Sequence, residues 1–357
     1  MTGTIRVLAA AHDPGGAVAM RPVLRLLRRN PSVELLILAS SYAHAVFSRD
    51  GIECEDMPTT FRDGAAREWI ASQAPHILFS GTSWAAGSEQ QLRNEAAAVG
   101  LPSLVLLDYW SNYRSRWIGA TYGIEELKDF VAAMDDECRA EMIAAGFPPE
   151  KIITTGHPHV EELFSAPAPP RNSPARACTI LFISLPLPGE TLHGTPQQHV
   201  VAIGKILARI AAERGTPVRL AVKLHPKEGI EHWPEAIELA GRSGIEVRLH
   251  DGKTNLDELT AESQVVIGFA SMALILARAA GKRVLALEEL DNGGGLRSMY
   301  RNAGIRWCGP DAAAVGEALA VAMALPPYDP PPGELYRRAA QNVEELLLRC
   351  AADNAGI

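Results

Sequence analysis

Two doubly wound α/β domains, each built on a parallel sheet, are predicted by three features of this sequence. Short apolar strands alternate with amphipathic helices along almost the whole chain. The strands read as continuous apolar runs rather than alternating ones, the pattern of a sheet covered by helices on both faces. One segment rich in proline, alanine and serine, residues 165–175 (SAPAPPRNSPA), interrupts the alternation, which then restarts. The expected domains are therefore 1–165 and 166–332, two Rossmann-like halves joined by this segment. Residues 333–357 follow as a terminal helix placed to pack back on the first half.

In the first half, residues 4–10 read as a strand, followed by the loop His12, Asp13, Pro14, Gly15, Gly16 and a helix over 17–29 that carries Leu24, Leu26 and Leu27. Strands follow at 33–39, 76–80, 103–107, 130–134 and 151–155, with helices at 65–73, 89–99 and 136–145. In the second half, strands at 178–184, 218–224, 246–249, 265–268 and 283–287 alternate with helices at 198–214, 233–243, 255–262 and 271–280. A proline cluster at 326–332 precedes the terminal helix.

With 357 residues, 47% hydrophobic and 21% charged, the chain exceeds one ordinary core. A net charge of −8 argues against a surface that coats nucleic acid, so small or anionic ligands come first. Cys54, Cys138, Cys178, Cys308 and Cys350 are odd in number and scattered, which indicates neither a disulfide framework nor a zinc knuckle. No secretory leader or membrane-length apolar window is read, so the expected location is the cytoplasm, with peripheral membrane association and oligomeric state left open.

Strand ends carry the candidate chemistry, because a parallel α/β sheet opens its ligand crevice there. The buried run Val218 to Glu228, VRLAVKLHPKE, stops in Lys223, His225, Pro226 and Lys227. These are a phosphate clamp or, more plainly, solvated lysines and a histidine packed on proline. At Val265 to Ala280, a strand ends near Gly268, and Ser271 followed by Met272 opens a helix whose free N–H groups suit an anion or simply take a cap. At His12 to Gly16, two glycines let a ligand approach the backbone. Asp13 is there either the general base or a helix cap. The loop lacks both a GxGxxG fingerprint and a Walker lysine.

Gly81, Thr82 and Ser83 with Glu89, and Asp108, Tyr109 and Trp110 with Arg114, line an acceptor pocket or serve as packing. Ser184, opening SLPLPG, touches a diphosphate or turns the chain. Glu288 and Glu289 bind ribose hydroxyls or are solvated. His157 and His159 are spaced as alternate strand residues, and without a Cys or carboxylate set at ligand spacing no metal is expected.

HDPGG at His12 to Gly16, KLHPKE at Lys223 to Glu228 and GFASMALILARAAGKRV at Gly268 to Val284 together resemble the B-type (GT-B) glycosyltransferases, over nearly the whole chain as architecture. The His-Pro pair followed by a serine-bearing turn is similar to bacterial sialyltransferases, polysialyltransferases and capsule enzymes that use cytidine-activated donors. The resemblance implies two domains facing a central cleft and a transferase of polysaccharide biosynthesis without a cofactor, and the absence of a ligand set makes it metal-independent. On this resemblance His225 and Ser271 contact the phosphate of a nucleotide-sugar donor, CMP- or UDP-linked, and the strand ends add Ser184, Lys223, Pro226, Lys227, Gly268, Met272 and Glu288 as candidate donor-binding residues. Asp13 acts as base, His225 at the leaving phosphate. His12, Gly15, Gly16, Thr82, Ser83, Asp108, Tyr109, Trp110, Arg114 and His157 line the side for a saccharide or other small acceptor. Two departures stand out: Asp13 is followed by Pro14 rather than a second acidic residue, and Ser271 by Met272 rather than a second hydroxyl.

Two alternatives share the architecture. A non-hydrolysing nucleotide-sugar 2-epimerase needs acid and base groups, and its usual histidine, arginine and glutamate cluster is not evident from the sequence. A non-catalytic nucleotide-sugar-binding protein would have no use for Asp13.

Overall fold

In the computed structural model, which describes residues 4–82, 87–165, 178–186, 195–269, 271–287, 294–309, 311–325, 329 and 336–355, the chain divides into two units. One comprises 1–165, 293–295 and 334–357, the other 166–292 and 296–333. Both are parallel α/β sheets.

The first unit runs β1 (Ile5–Ala11), α1 (Pro14–Leu27), β2 (Val33–Ala39), α2 (Ser41–Arg49), β3 (Glu55–Asp56), α3 (Ala65–Gln73), β4 (Ile77–Ser80), α4 (Ser88–Val99), β5 (Ser103–Leu106), β6 (Phe130–Ala133), α5 (Asp136–Ala144), β7 (Ile152–Thr154) and α6 (Pro158–Ser165). Its seven strands lie in the order β3-β2-β1-β4-β5-β6-β7. Successive side chains of a strand point to opposite faces, and β1 feeds two cores in this way. Val7, Ala9 and Ala11 join Met20, Val23 and Leu24 of α1, while Leu8 and Ala10 join Ile70 of α3 and Leu92 of α4. This two-sided burial is why the strands read as unbroken apolar runs.

The second unit runs β8 (Cys178–Ile183), α7 (Pro196–Arg214), β9 (Val218–Lys223), α8 (Pro234–Gly241), β10 (Glu246–His250), α9 (Leu256–Glu262), β11 (Val265–Phe269), α10 (Met272–Ala279), β12 (Arg283–Leu287), α11 (Gly294–Asn302), β13 (Arg306–Cys308) and α12 (Ala312–Ala324). Its six strands are ordered β10-β9-β8-β11-β12-β13. α7 starts on a capping box: Thr195 Oγ1 accepts from the Gln198 N–H and Gln198 Oε1 accepts from the Thr195 N–H. The interrupting segment 165–175 lies, from 166 on, outside the described residues.

The last helix, α13 (Ala339–Ala355), belongs to the first unit, where Val343, Leu346 and Leu347 enter the core beside α1. Both carboxylate oxygens of Glu161 accept backbone N–H groups at its start, those of Arg338 and Ala340. These are donors that the first turn of a helix leaves unpaired.

α3 ends on Ala74 in the left-handed region (φ 42°, ψ 54°), a conformation that glycine adopts without a Cβ clash. Ala74 is exposed, so no packing is lost with its methyl group. Ala74→Gly is expected to stabilise the protein by about 0.5–1 kcal/mol, seen as a higher thermal midpoint. An unchanged or lower midpoint contradicts the strain assigned to this cap.

Candidate active site

Sheet order reverses between β1 and β4, so the loops that follow them diverge and leave room at the carboxyl edge of the first sheet. The β1 loop delivers His12 and Asp13. Asp13 holds the N-cap position of α1 in extended conformation, yet its side chain makes no capping bond, and 38% of that side chain is exposed. His12 Nε2 stands 4.0 Å from Asp13 Oδ1. The His12 N–H is accepted by Oε1 of Glu89 at 2.8 Å, a carboxylate buried in the first turn of α4.

Two glycines bring the backbones at this edge into contact. A Cβ on Gly81 would stand 3.2 Å from both Gly16 Cα and Glu89 Oε1, tighter than ordinary contact, so the glycine lets α1 pack closely onto the end of β4. Asp108, beyond the end of β5, reaches the same place. Its Oδ1 accepts from Thr82 Oγ1 at 3.1 Å and from Arg116 Nη1 at 2.5 Å. Its Oδ2 lies against the first turn of α1, 2.5 Å from the point a Cβ of Gly15 would occupy. A carboxylate there is stabilised by the positive end of the helix dipole.

Arg116 is a buried guanidinium fastened at every nitrogen. Beside Asp108 and Thr82, its Nε donates to Ser111 O and its Nη2 to Tyr109 O. Arg93, on the buried face of α4, donates in turn to Gly81 O (3.3 Å) and Arg116 O (3.1 Å). Sequence reading missed both arginines and treated Glu89 only as a companion of Thr82. A signal existed for Glu89 and Arg93: charged residues four apart on the helical face that also buries Leu92 and Ala96. Arg116 stands in a 3-10 turn, without periodicity to reveal it.

Several expected residues are placed elsewhere. Arg114 turns away from Asp108 and donates to Ala145 O at the end of α5. Trp110 is completely buried, stacked on His157 with ring centroids 5.2 Å apart and its Nε1 donating to Asp135 Oδ2, so it offers a sugar no face. His157 and His159 are not alternate strand residues. His157 follows β7, where its Nε2 meets Asp108 O at 3.3 Å, and His159 lies in α6. Burial pushes the His157 imidazole down to about 4, keeping it neutral near pH 7. Tyr109 contributes its carbonyl to Arg116. Ser83 lies outside the described residues.

In the second unit, the order reverses between β8 and β11. Glu228 organises the end of β9: it accepts from Ser184 Oγ and from the His225 N–H, each at 2.8 Å. His225 Nδ1 accepts the Lys227 N–H at 3.1 Å, so the neutral ring carries its proton on Nε2. Burial lowers the His225 pKa, opposed by Glu228 and helped by the two lysines. Lys223 is not a solvated cation. Its Nζ donates to Leu224 O (2.8 Å) and Gly252 O (3.0 Å), tying the β9 loop to the β10 loop, and burial lowers its pKa.

A Cβ on Gly252 would meet Pro226 Cα at 2.6 Å, so these two loops also close on a glycine. Gly268 serves packing rather than a turn, since a Cβ there would meet Ile183 O of β8 at 2.7 Å. Ser271 occupies the N-cap of α10 just before Met272, with no side-chain capping bond and its N–H donated to Tyr300 Oη at 3.0 Å. Glu288 lies outside the described residues. Among the described residues, no group of three or more His, Cys, Asp or Glu side chains could hold a metal ion, and no helix is long and apolar enough to cross a membrane.

No family model matches the sequence, and no curated protein matches it. Solved structures do. The chain is similar to the UDP-GlcNAc 2-epimerase of Neisseria meningitidis bound to UDP-GlcNAc, with TM-score 0.66, 14% identity and coverage of 97% of this chain and 100% of that one. A putative UDP-N-acetylglucosamine 2-epimerase of Listeria monocytogenes matches with TM-score 0.66, 17% identity and coverage of 99% and 98%. A glycosyltransferase of Rickettsia africae matches with TM-score 0.60, 11% identity and coverage of 99% and 97%.

The two-sheet fold is thus that of GT-B-type enzymes. The glycosyltransferase reading is corrected by the same comparison. Five similar structures are described as UDP-GlcNAc 2-epimerases against one described as a glycosyltransferase, so the balance moves to the epimerase alternative. The sialyltransferase likeness drawn from the His-Pro pair finds no support among them.

Proposed function

We propose that this protein is a nucleotide-sugar 2-epimerase acting on a UDP-linked N-acetylhexosamine. One observation carries the reading: Asp13 and Asp108 bring two carboxylates to the first turn of α1, Asp13 at its N-cap and Asp108 over Gly15. Activating a hydroxyl for transfer needs one base. Inverting a C–H centre needs two proton-transfer groups, one for each face of the carbon.

The chemistry follows from the substrate. C2 of a glycosyl phosphate has no neighbouring carbonyl to acidify its proton. That proton leaves as the C1–O bond breaks, the electron pair of C2–H forming a C1=C2 double bond and the nucleoside diphosphate departing with the C1–O pair. Protonating C2 on the opposite face and returning the diphosphate oxygen to C1 gives the epimer, with atoms and electrons balanced. One carboxylate takes the first proton, and the other, in its protonated form, supplies the second.

Taken by itself, the second unit carries groups suited to bind a diphosphate: the Nε2–H of His225 and the N-terminal turn of α10 after Ser271. The uridine preference is supported by the match to a structure bound to UDP-GlcNAc.

The deciding experiment incubates the protein with UDP-GlcNAc in D2O without any acceptor. Proton NMR is expected to show the C2 epimer accumulating with deuterium at C2. A protein that binds UDP-GlcNAc yet yields neither epimer nor deuterated sugar overturns the proposal.

A further inference from the structure

Asp108 is held asymmetrically. Oδ1 takes both hydrogen bonds, from Thr82 Oγ1 and Arg116 Nη1, while none reaches Oδ2 among the described residues. Oδ2 instead packs against the α1 backbone at Gly15, in space that exists only because Gly15 has no side chain. The asymmetry is enforced from behind. Arg116 is pinned by Ser111 O and Tyr109 O, and its own carbonyl is pinned by Arg93.

We propose that Arg116 and Gly15 are the positioning residues of the site: Arg116 anchors one oxygen of Asp108, and Gly15 leaves the other in place to exchange a proton with the sugar. This rests on the epimerase reading. Arg116 suits the task because a planar guanidinium fixes direction as well as charge, whereas an ammonium on a flexible stem fixes only charge. The side chain of Asp108 is 17% exposed and that of Arg116 only 8%, so the anchoring oxygen faces protein while the carboxylate keeps access to a ligand. Neither positioning residue need touch the substrate. Each acts through the place of Oδ2, and a displacement of about 1 Å at a proton-transfer group costs on the order of 10²-fold in rate.

Two variants reach the same atom from opposite sides. Arg116→Lys keeps the charge and removes the fork, while Gly15→Ala places a methyl group 2.5 Å from Oδ2, too close for both to stay in place. Each is expected to lower kcat for epimerisation by about 10–10²-fold with KM for UDP-GlcNAc changed by less than about threefold. In the Asp108→Asn background, neither is expected to lower kcat further, because residues acting through one group are non-additive. Crystal structures of both variants are expected to show Oδ2 displaced, a readout that requires no activity.

Undisplaced Oδ2 in both crystals overturns the positioning role, as do losses that multiply with Asp108→Asn or fall equally on binding. Should the unmodified protein lack epimerase activity, that reading fails on its own, and the position of Oδ2 still decides the anchoring. Gly15→Ala keeps the test intact if Arg116→Lys does not fold.

Discussion

Asp108→Asn is expected to lower net epimerisation of UDP-GlcNAc by about 10²–10⁴-fold while affinity for UDP changes little, the range typical of removing a positioned proton-transfer group. Asparagine has nearly the same shape and retains an oxygen for Thr82 and Arg116, so the anchoring of the side chain survives. What it loses is the capacity to take a proton.

Asp13→Asn is expected to give a comparable loss. The two variants then separate the faces of the sugar. With one carboxylate gone, the other still removes and returns a proton on its own side. Each single variant is therefore expected to incorporate deuterium at C2 of only one epimer without interconverting the two. Net epimerisation by Asp108→Asn within about threefold of the unmodified protein removes Asp108 from the pair. Exchange into both epimers by either variant would show that a third group does the work. Glu89 is then the next to test, because it lies against the same loop through the His12 N–H.

The sheets were legible because their strands are buried on both faces, and continuous apolar runs such as Val7 to Ala11 and Val265 to Phe269 have few alternative readings. Short edge elements were not. β3 is two exposed residues, and β13 is three residues that carry Arg306 and an exposed Trp307, so neither shows an apolar run.

In the site, strand ends named the right loops but not the right partners. Asp108 stood out as an acid at a strand terminus, yet its anchor is Arg116 rather than Arg114, because the turn between 114 and 117 directs one guanidinium inward and the other to α5. That choice depends on a 3-10 turn closed by long-range hydrogen bonds, which no local pattern encodes. Trp110 failed as a sugar platform for a related reason. An aromatic residue beyond a strand end has the same local signature whether it faces a ligand or, as here, folds back under Asp135 and His157. The sequence offers Lys223 as part of a phosphate clamp or as a solvated lysine, but the backbone carbonyls of two loops converge on it, and convergence of carbonyls leaves no trace in composition.

The buried imidazole of His157 also sets a pH dependence of stability. Burial, with a smaller push from His159, lowers its pKa from 6.5 to about 4, so the folded protein takes this proton less readily than the unfolded chain. Above about pH 6.5 both states are neutral and the group costs nothing. As pH falls toward 4 the unfolded chain binds the proton first, and folded stability declines by up to about 3 kcal/mol before levelling off. Glu162 acts in a lower window. Its hydrogen bond to His159, together with Arg21, holds its carboxyl at about 2, so its contribution is present above about pH 4.5 and lost as pH falls toward 2.

His157→Gln isolates the first effect, because an amide both donates to Asp108 O and accepts the Val160 N–H, the two bonds the ring makes, without titrating. Urea unfolding between pH 7 and pH 4 is expected to show the unmodified protein losing about 3 kcal/mol more than the variant. The variant begins less stable at pH 7, since the stacking on Trp110 is reduced. Two stability curves that run parallel over this range would mean that His157 accepts a proton in place, and that the pocket beneath Asp108 admits charge.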